Sequence, residues 1–537
     1  MAERIGVRSL ARLGTFGVTK FSTFLGHSVW TVDQSAVGIV QCRPARSESS
    51  VGLIGARETN CCLQVYPLPS RQPTWFETIN PATGKTLKRY KSSTKADVDK
   101  AVTKAKKAFE KWRLLSPAKR AIYLERTAKT LRAQKEKLAR IITQEMGKPI
   151  KESLPEVAKC AWALEYYSEN GPKFLNPEVT KTDATDSYVT FEPLGVIGSI
   201  MPWNFPLWQC IRFAAPALMV GNTTVFKPSS ITPQSGLALQ NAFESTGLIP
   251  DCFNIVLGSA QVANNLIQSD TVAISFTGSV NAGRTVAQAA STQLKKFVLE
   301  LGGSDAFLVL EDADIEAAST GAVAGRFINN GQSCIATKRI FVVKHVFDEF
   351  LDKFVKKTKS LRVGDPLSPE TDIGPMVREE SLKTLDGQVK DALKQGAQLE
   401  LGGERLRRKG SFYAPTIVTN VSEEMRMMKE ETFGPAAPVM VVKDESEAIR
   451  LANKSEFGLG ATVWGTDTRR AEKVARDISV GLVTVNNVVV SDPRMPFGGV
   501  RHSGIGRELS RYGMIEFANI RSVRVYEKSP LAHAHVE

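Results

Sequence analysis

Three residues of this chain have the types and settings that covalent chemistry needs. The stretch NNGQSCIATKR, from Asn329 to Arg339, sets Cys334 after small and amide residues and directly ahead of the apolar run IFVV. A lone thiol there is either a small buried hydrophobe or a thiolate nucleophile. Asn204 stands in MPWNFPL, between Trp203 and Phe205, in a segment stiffened by Pro202 and Pro206. A buried amide on a stiff turn is what a developing oxyanion requires, although an Asn satisfying its own turn reads the same way. Glu300 lies in the apolar run KKFVLELGG, 34 residues before the cysteine. A carboxylate in that setting is either salt-bridged or carries a raised pKa, and a raised pKa suits a general base.

Two further stretches suit a dinucleotide. ISFTGSVNAGR reads as a strand followed by Gly278 and Gly283, with Ser279 placed to cap the next helix. Glycines let backbone N–H groups approach a pyrophosphate, and a helix N-terminus favours its charge. TVFKPSS sets Lys227 at a strand exit with Ser229 and Ser230 just beyond, and no acid nearby. A ribose 2′-OH is commonly held by a carboxylate, whereas a 2′-phosphate needs donors or cations. The loop therefore points to NADP, with NAD as the alternative.

These groups need a scaffold to bring them together. A chain of 537 residues exceeds one hydrophobic core and implies two or three units. Short β-rich runs alternate with helical patterns from Ser187 to Val280 and again after Leu301, which means βαβ units and a parallel sheet. Ahead of them, Thr94 with Asp97 starts one helix, and Ser116 with Pro117 starts another that runs to about Gly147. No apolar run approaches the roughly 20 residues of a membrane-crossing helix. Seven scattered cysteines (Cys42, Cys61, Cys62, Cys160, Cys210, Cys252, Cys334) form no CxxC pair, so neither a disulfide framework nor a zinc site is expected, and a reducing compartment fits.

Residues 1–74 carry eight of the 70 basic and four of the 56 acidic residues. Arg4, Arg8 and Arg12 recur every four positions on one helical face, so this Arg- and Ser-rich start resembles an organellar transit peptide, with the mitochondrion preferred to the plastid. The rest of the chain keeps a net charge of +10 of the total +14, which suits anionic small molecules. No Lys/Arg-rich run with interleaved aromatics argues for nucleic acid.

Taken in order, PWNFP, VFKPSS, FTGSVNAG, LELGG, NNGQSC, EETFGP and PFGGVRHSGIGRE make the chain resemble the aldehyde dehydrogenase superfamily from about Phe76 to Tyr526. Within it, the resemblance is to NADP-using succinate-semialdehyde dehydrogenases. It implies an α/β fold with a Rossmann-like cofactor domain over 76–301, interrupted near 181–196 by bridging strands. A catalytic α/β domain over 302–496 and a return segment with a bridging strand over 497–537 would complete it. It implies Cys334 as nucleophile, Asn204 as oxyanion donor and Glu300 as the base that activates water. Trp203, Lys227, Ser229, Ser230, Gly278, Ser279, Gly283, Leu301, Glu431 and Phe433 would hold the cofactor.

For the substrate, the resemblance implies that Arg212 and Ser491 bind a terminal carboxylate and that Trp208 forms a wall; a helix-surface ion pair is the alternative for Arg212. Glutarate semialdehyde and small aliphatic aldehydes are the alternative substrates. Two positions depart from some relatives: Ile328 where a second arginine stands, and Ala336 where a second cysteine stands. The resemblance further implies a homodimer or homotetramer formed through the bridging strands.

Overall fold

The computed structural model describes residues 74–528, together with a short antiparallel ladder between Phe24–Leu25 and Ser28–Val29. The arginine-bearing face expected at residues 4–12 lies outside the described residues. The scaffold and site lie within one unit, Gln72–Glu537.

The predicted caps form. Thr94 and Asp97 make a reciprocal capping box on the Lys95–Trp112 helix, which satisfies otherwise orphaned N–H groups. Its buried face is Val98, Val102, Ala105, Ala108 and Trp112, and the Trp112 indole donates to Leu218 O at 3.0 Å. Ser116 caps the next helix, with Pro117 in its first turn. That segment is not one helix to Gly147, as the sequence suggested. Gln134 leaves the helical region at φ −98°, ψ 11°, dividing Pro117–Ala133 from Lys135–Met146. No Pro or Gly marks the break. It lets the second piece turn Leu138, Ile142 and Met146 into the core shared with the long helix Ile150–Phe174.

A six-stranded sheet runs, in spatial order, Gly504–Ile505, Lys296–Glu300, Ala273–Thr277, Val196–Ile200, Thr223–Lys227 and Phe253–Ile255. All its pairings are parallel except that of Gly504–Ile505. The chain winds outward from Val196–Ile200 in one direction, then returns to its other side at Ala273–Thr277. The reversal falls between these two strands, where open α/β sheets hold their ligands. Register aligns the exits: Ile200 pairs with Lys227 and Phe276, and Thr277 pairs with Glu300. Lys227, Ile200, Thr277 and Glu300 therefore leave the sheet along one edge.

A seven-stranded sheet, from Gln398–Leu401 through Thr416–Thr419, Ala436–Val442, Thr337–Val343, Asp305–Val309 and Gly460–Trp464 to Leu482–Val485, forms the second layer system. Its central strand Thr337–Val343 is buried at every position. Its apolar half, Ile340–Val343, is what a sheet covered on both sides requires, while Lys338 and Arg339 at its start are buried with backbone carbonyls as partners. A three-stranded sheet of Glu178–Val179, Asp186–Pro193 and Ala518–Val525 leaves Ala518–Val525 at its edge, with Ile520 and Val525 exposed.

Candidate active site

Cys334 follows an unusual turn. Asn329, Asn330 and Gly331 take positive φ values of 54°, 57° and 73°. Asn tolerates this region better than other side-chain-bearing residues, and here its amides fix the turn. Asn329 Nδ2 donates to Asn204 O and Gln332 O, both at 2.9 Å, while the Asn329 N–H donates to Glu152 at 2.7 Å. Asn330 Nδ2 donates to Gly147 O and Pro375 O, and its Oδ1 accepts from Gly374 N. A Cβ at Gly331 would sit 2.2 Å from Gly434 O, so only glycine fits. Just past the cysteine, Lys338 Nζ donates to Ser333 O and Cys334 O, both at 2.7 Å, and pairs with Glu431 at 3.5 Å. The amide-rich text around the cysteine is a clamp on its backbone.

Cys334 lines two cavities. One of about 390 Å³ is walled by Trp203, Asn204, Gly278, Ser279, Leu301, Glu431 and Phe433 among others. The other, of about 480 Å³, is walled by Lys159, Trp208, Arg212, Ile328, Ser491 and Phe497 among others. Gln209 also faces both. A thiol at the junction of two chambers can meet a different molecule on each side.

Burial pushes the Cys334 thiol up to about 11, against the pull of Arg212 and Lys338, so the resting sulfur is protonated. Asn204 is 3% exposed; its Nδ2 donates to Gln332 O at 3.1 Å and its Oδ1 accepts from Gln209 Nε2 at 2.9 Å. One of its two amide protons stays uncommitted. Glu300, the last residue of its strand, is 2% exposed, and neither carboxyl oxygen has a partner among the described residues. Burial raises its pKa well above the carboxylate range, with Arg212 opposing. Glu300 is on the wall of neither cavity; its carboxyl lies beside Gly498, where an added Cβ would come within 2.6 Å of Oε1.

On the cofactor side, Trp203 and Phe433 meet edge to face at 5.8 Å. Gly278 and Ser279 line the smaller cavity, and Ser279 caps the Val280–Ser291 helix. Gly283 differs from expectation: it lies inside that helix, with a hypothetical Cβ 2.4 Å from Leu301 Cδ2. It permits close helix–strand packing rather than a phosphate approach. Lys227, Ser229 and Ser230 stand at the far end of the strand edge, beyond the lining of this cavity. Lys227 is 7% exposed, and desolvation lowers its pKa to about 8, with no carboxylate among the described residues acting on it.

On the other side, Trp208 and Ser491 are buried in the wall of the larger cavity. Arg212 is there too, but neither as a free guanidinium nor on a helix surface. It forms a buried ion pair with Glu508, each side chain 2% exposed, and lies 4.3 Å over the Phe497 ring. Burial alone would depress this guanidinium; Glu508 and Glu300 hold it protonated. The return segment 497–537 delivers Glu508 to it, a partner that the sequence expectation for Arg212 did not include, while Arg212 stays on the cavity wall. Lys159, which no sequence motif marks, donates from Nζ to Ser491 Oγ at 2.8 Å. The signal was available: Lys151, Pro155 and Lys159 recur at four-residue spacing on one face of the Ile150–Phe174 helix, and all three line the cavity. Ile328, at the position of a relative's second arginine, contributes an apolar, 38% exposed wall residue.

Among the described residues no cluster of three or more His, Cys, Asp or Glu side chains could hold a metal, and no helix is long and apolar enough to cross a membrane.

Known proteins resemble this chain in sequence and fold. The family model described as Aldehyde dehydrogenase family matches residues 68–523. "Succinate-semialdehyde dehydrogenase [NADP(+)] 1" of Mycobacterium tuberculosis is 44% identical over 450 residues, covering 83% of this chain and 98% of the relative. "Probable succinate-semialdehyde dehydrogenase [NADP(+)]" of Synechocystis sp. is 42% identical over 447 residues, covering 83% and 98%. The crystal structure of succinate-semialdehyde dehydrogenase from Burkholderia pseudomallei superposes with a TM-score of 0.82 at 36% identity, covering 84% of this chain and 94% of that one. With its thiol between two chambers and its sheets in this order, the chain belongs to the aldehyde dehydrogenase family.

Proposed function

We propose that this enzyme oxidises succinate semialdehyde to succinate with NADP, through covalent intermediates on Cys334. The observation that carries the reading is the place of Cys334 on the walls of both cavities. The aldehyde enters from the larger chamber, the Cys334 thiol gives up its proton to water, and the resulting thiolate adds to the carbonyl carbon. The second amide proton of Asn204 and the Cys334 N–H receive the oxyanion. NADP held by the walls of the smaller cavity would supply a hydride acceptor, and loss of hydride from the Cys334 thiohemiacetal leaves a thioester on the sulfur. Glu300, swinging from its place beside Gly498, takes a proton from the water that attacks the thioester, which frees the acid and the thiol. A carboxyl with a raised pKa suits that task.

The cofactor choice is supported by Lys227, a buried ammonium on which no carboxylate among the described residues acts, followed by two hydroxyls. Such a group favours a 2′-phosphate, and the relatives named for NADP agree with it. Trp203, Gly278, Ser279, Leu301, Glu431 and Phe433 are positioned to hold the rest of the dinucleotide. The exposed Ala518–Val525 edge supports assembly with further copies of this chain into a dimer or tetramer. The arginine spacing before residue 74 supports import into an organelle, the mitochondrion ahead of the plastid.

The test is a panel of aldehydes assayed with NADP and with NAD. Succinate semialdehyde with NADP is expected to give the highest kcat/KM. A tenfold preference for NAD, or a preference for uncharged aldehydes, refutes the assignment.

A further inference from the structure

Three cations line the larger cavity: Lys151, Lys159 and Arg212. Two of them are already neutralised. Lys151 pairs with Asp372, and Arg212 pairs with Glu508 in full burial. Lys159 has no carboxylate partner among the described residues; its one polar contact is with Ser491 Oγ, and its ammonium lies 4.6 Å from the Trp208 ring centroid. An ammonium has three donors, so two remain for a ligand. The acids nearest to it are engaged elsewhere. Glu156 accepts from the Leu207 and Trp208 N–H groups and from Lys148, and Asp492 is paired with Arg494. The surrounding wall includes Phe205, Trp208, Phe327 and Phe497, so the charge is poorly solvated. Burial lowers the Lys159 ammonium to about 8. An uncompensated cation in an apolar chamber that also holds the reactive thiol is a seat for an anion.

We propose that Lys159, with the Ser491 hydroxyl beside it, binds the distal carboxylate of the substrate and sets the preference for charged aldehydes. This rests on the succinate-semialdehyde reading above and names the specificity-determining cation of that site. Arg212, paired with Glu508, stands on the same wall.

The first experiment compares kcat/KM for succinate semialdehyde and for butanal, its uncharged analogue of equal chain length, in wild type, Lys159→Met and Lys159→Arg. The charged-to-neutral ratio is expected to fall about 10–100-fold in Lys159→Met, chiefly through KM, as for loss of a charge-assisted hydrogen bond. Lys159→Arg should recover part of it. A ratio in Lys159→Met within about twofold of wild type overturns the proposal. If wild type itself shows no preference for the charged aldehyde, the functional reading fails instead.

The second measurement needs no variant: the same ratio in wild type as pH rises from about 7 to about 9.5. Facing Lys159 are Glu156 and Cys160 from its own helix, Arg212 from the Trp208–Val220 helix, and Asp492 from the loop beyond Ser491. Over this range Arg212 stays charged, Cys160 stays a thiol because burial raises it well above 9, and Asp492 stays ionised beside Arg494. Titration of Cys334 and Glu300 acts on both aldehydes and cancels in the ratio. The ratio should fall through about pH 8 as the ammonium loses its proton. A flat ratio overturns the assignment.

Discussion

Replacing Glu508 by Gln strips Arg212 of its carboxylate while keeping the shape of the side chain. Both partners are 2% exposed, so the guanidinium has little water to turn to. Removing one member of a buried pair costs about 3–5 kcal/mol, because the remaining charge stays buried and uncompensated. The amide can still accept from Ser275, which now donates to Glu508 Oε1 at 3.3 Å, so the lower end of that range, about 3 kcal/mol, applies. The same change has an electrostatic consequence 174 residues away in sequence. Arg212 pulls the Cys334 thiol pKa down, and at present Glu508 offsets that charge. With the offset gone, the thiol should ionise at a pH below its present midpoint near 11.

Urea unfolding followed by tryptophan fluorescence reads the first effect. Alkylation of Cys334 by iodoacetamide across pH, scored on the Cys334 peptide by mass spectrometry, reads the second. A stability change under about 0.5 kcal/mol, the range of an ordinary surface substitution, would refute the buried pair. An alkylation midpoint that stays put or moves upward would refute the coupling to the thiol.

The remaining predictions follow from single contacts. Cys334→Ala should abolish dehydrogenase turnover while leaving NADP binding, read by fluorescence titration, close to wild type; survival of a tenth of the rate refutes the covalent route. Glu300→Gln should release a rapid burst of NADPH and then turn over slowly, since the thioester forms but its hydrolysis lacks a base; a steady state without a burst counts against that role. Ser230→Glu should weaken NADP by about 1–3 kcal/mol relative to NAD, through a lost donor and a like charge, as measured by KM for each cofactor; an unchanged ratio places the 2′-phosphate elsewhere. Gly283→Val forces a Cβ to within 2.4 Å of Leu301 Cδ2 and should cost about 1–3 kcal/mol in a thermal melt. A melt equal to wild type refutes the tight helix–strand contact.

The sequence by itself determined the local chemistry. NNGQSC sets the thiol directly after small and amide residues, and the structure puts Asn329, Asn330 and Gly331 in the left-handed region that Asn and Gly tolerate. Thr94 with Asp97 and Ser116 with Pro117 fix helix starts, since a cap depends on residues three apart or fewer. The alternation of strands and helices was enough to call parallel sheets. What the linear text could not decide was which distant groups would share a cavity or cancel a charge. Arg212 reads as a free cation until Ser510–Glu516 and the Gly504–Ile505 strand fold Glu508 against it, 296 residues further on. Lys159 reads as an ordinary helix lysine until the loop holding Ser491 closes over it, 332 residues away. Gly283 looks like part of a phosphate turn until Leu301 packs on it. Helices and turns obey short-range rules, but burial and pairing of charge are set by whichever chain segment the sheets bring alongside, and that is settled only in three dimensions.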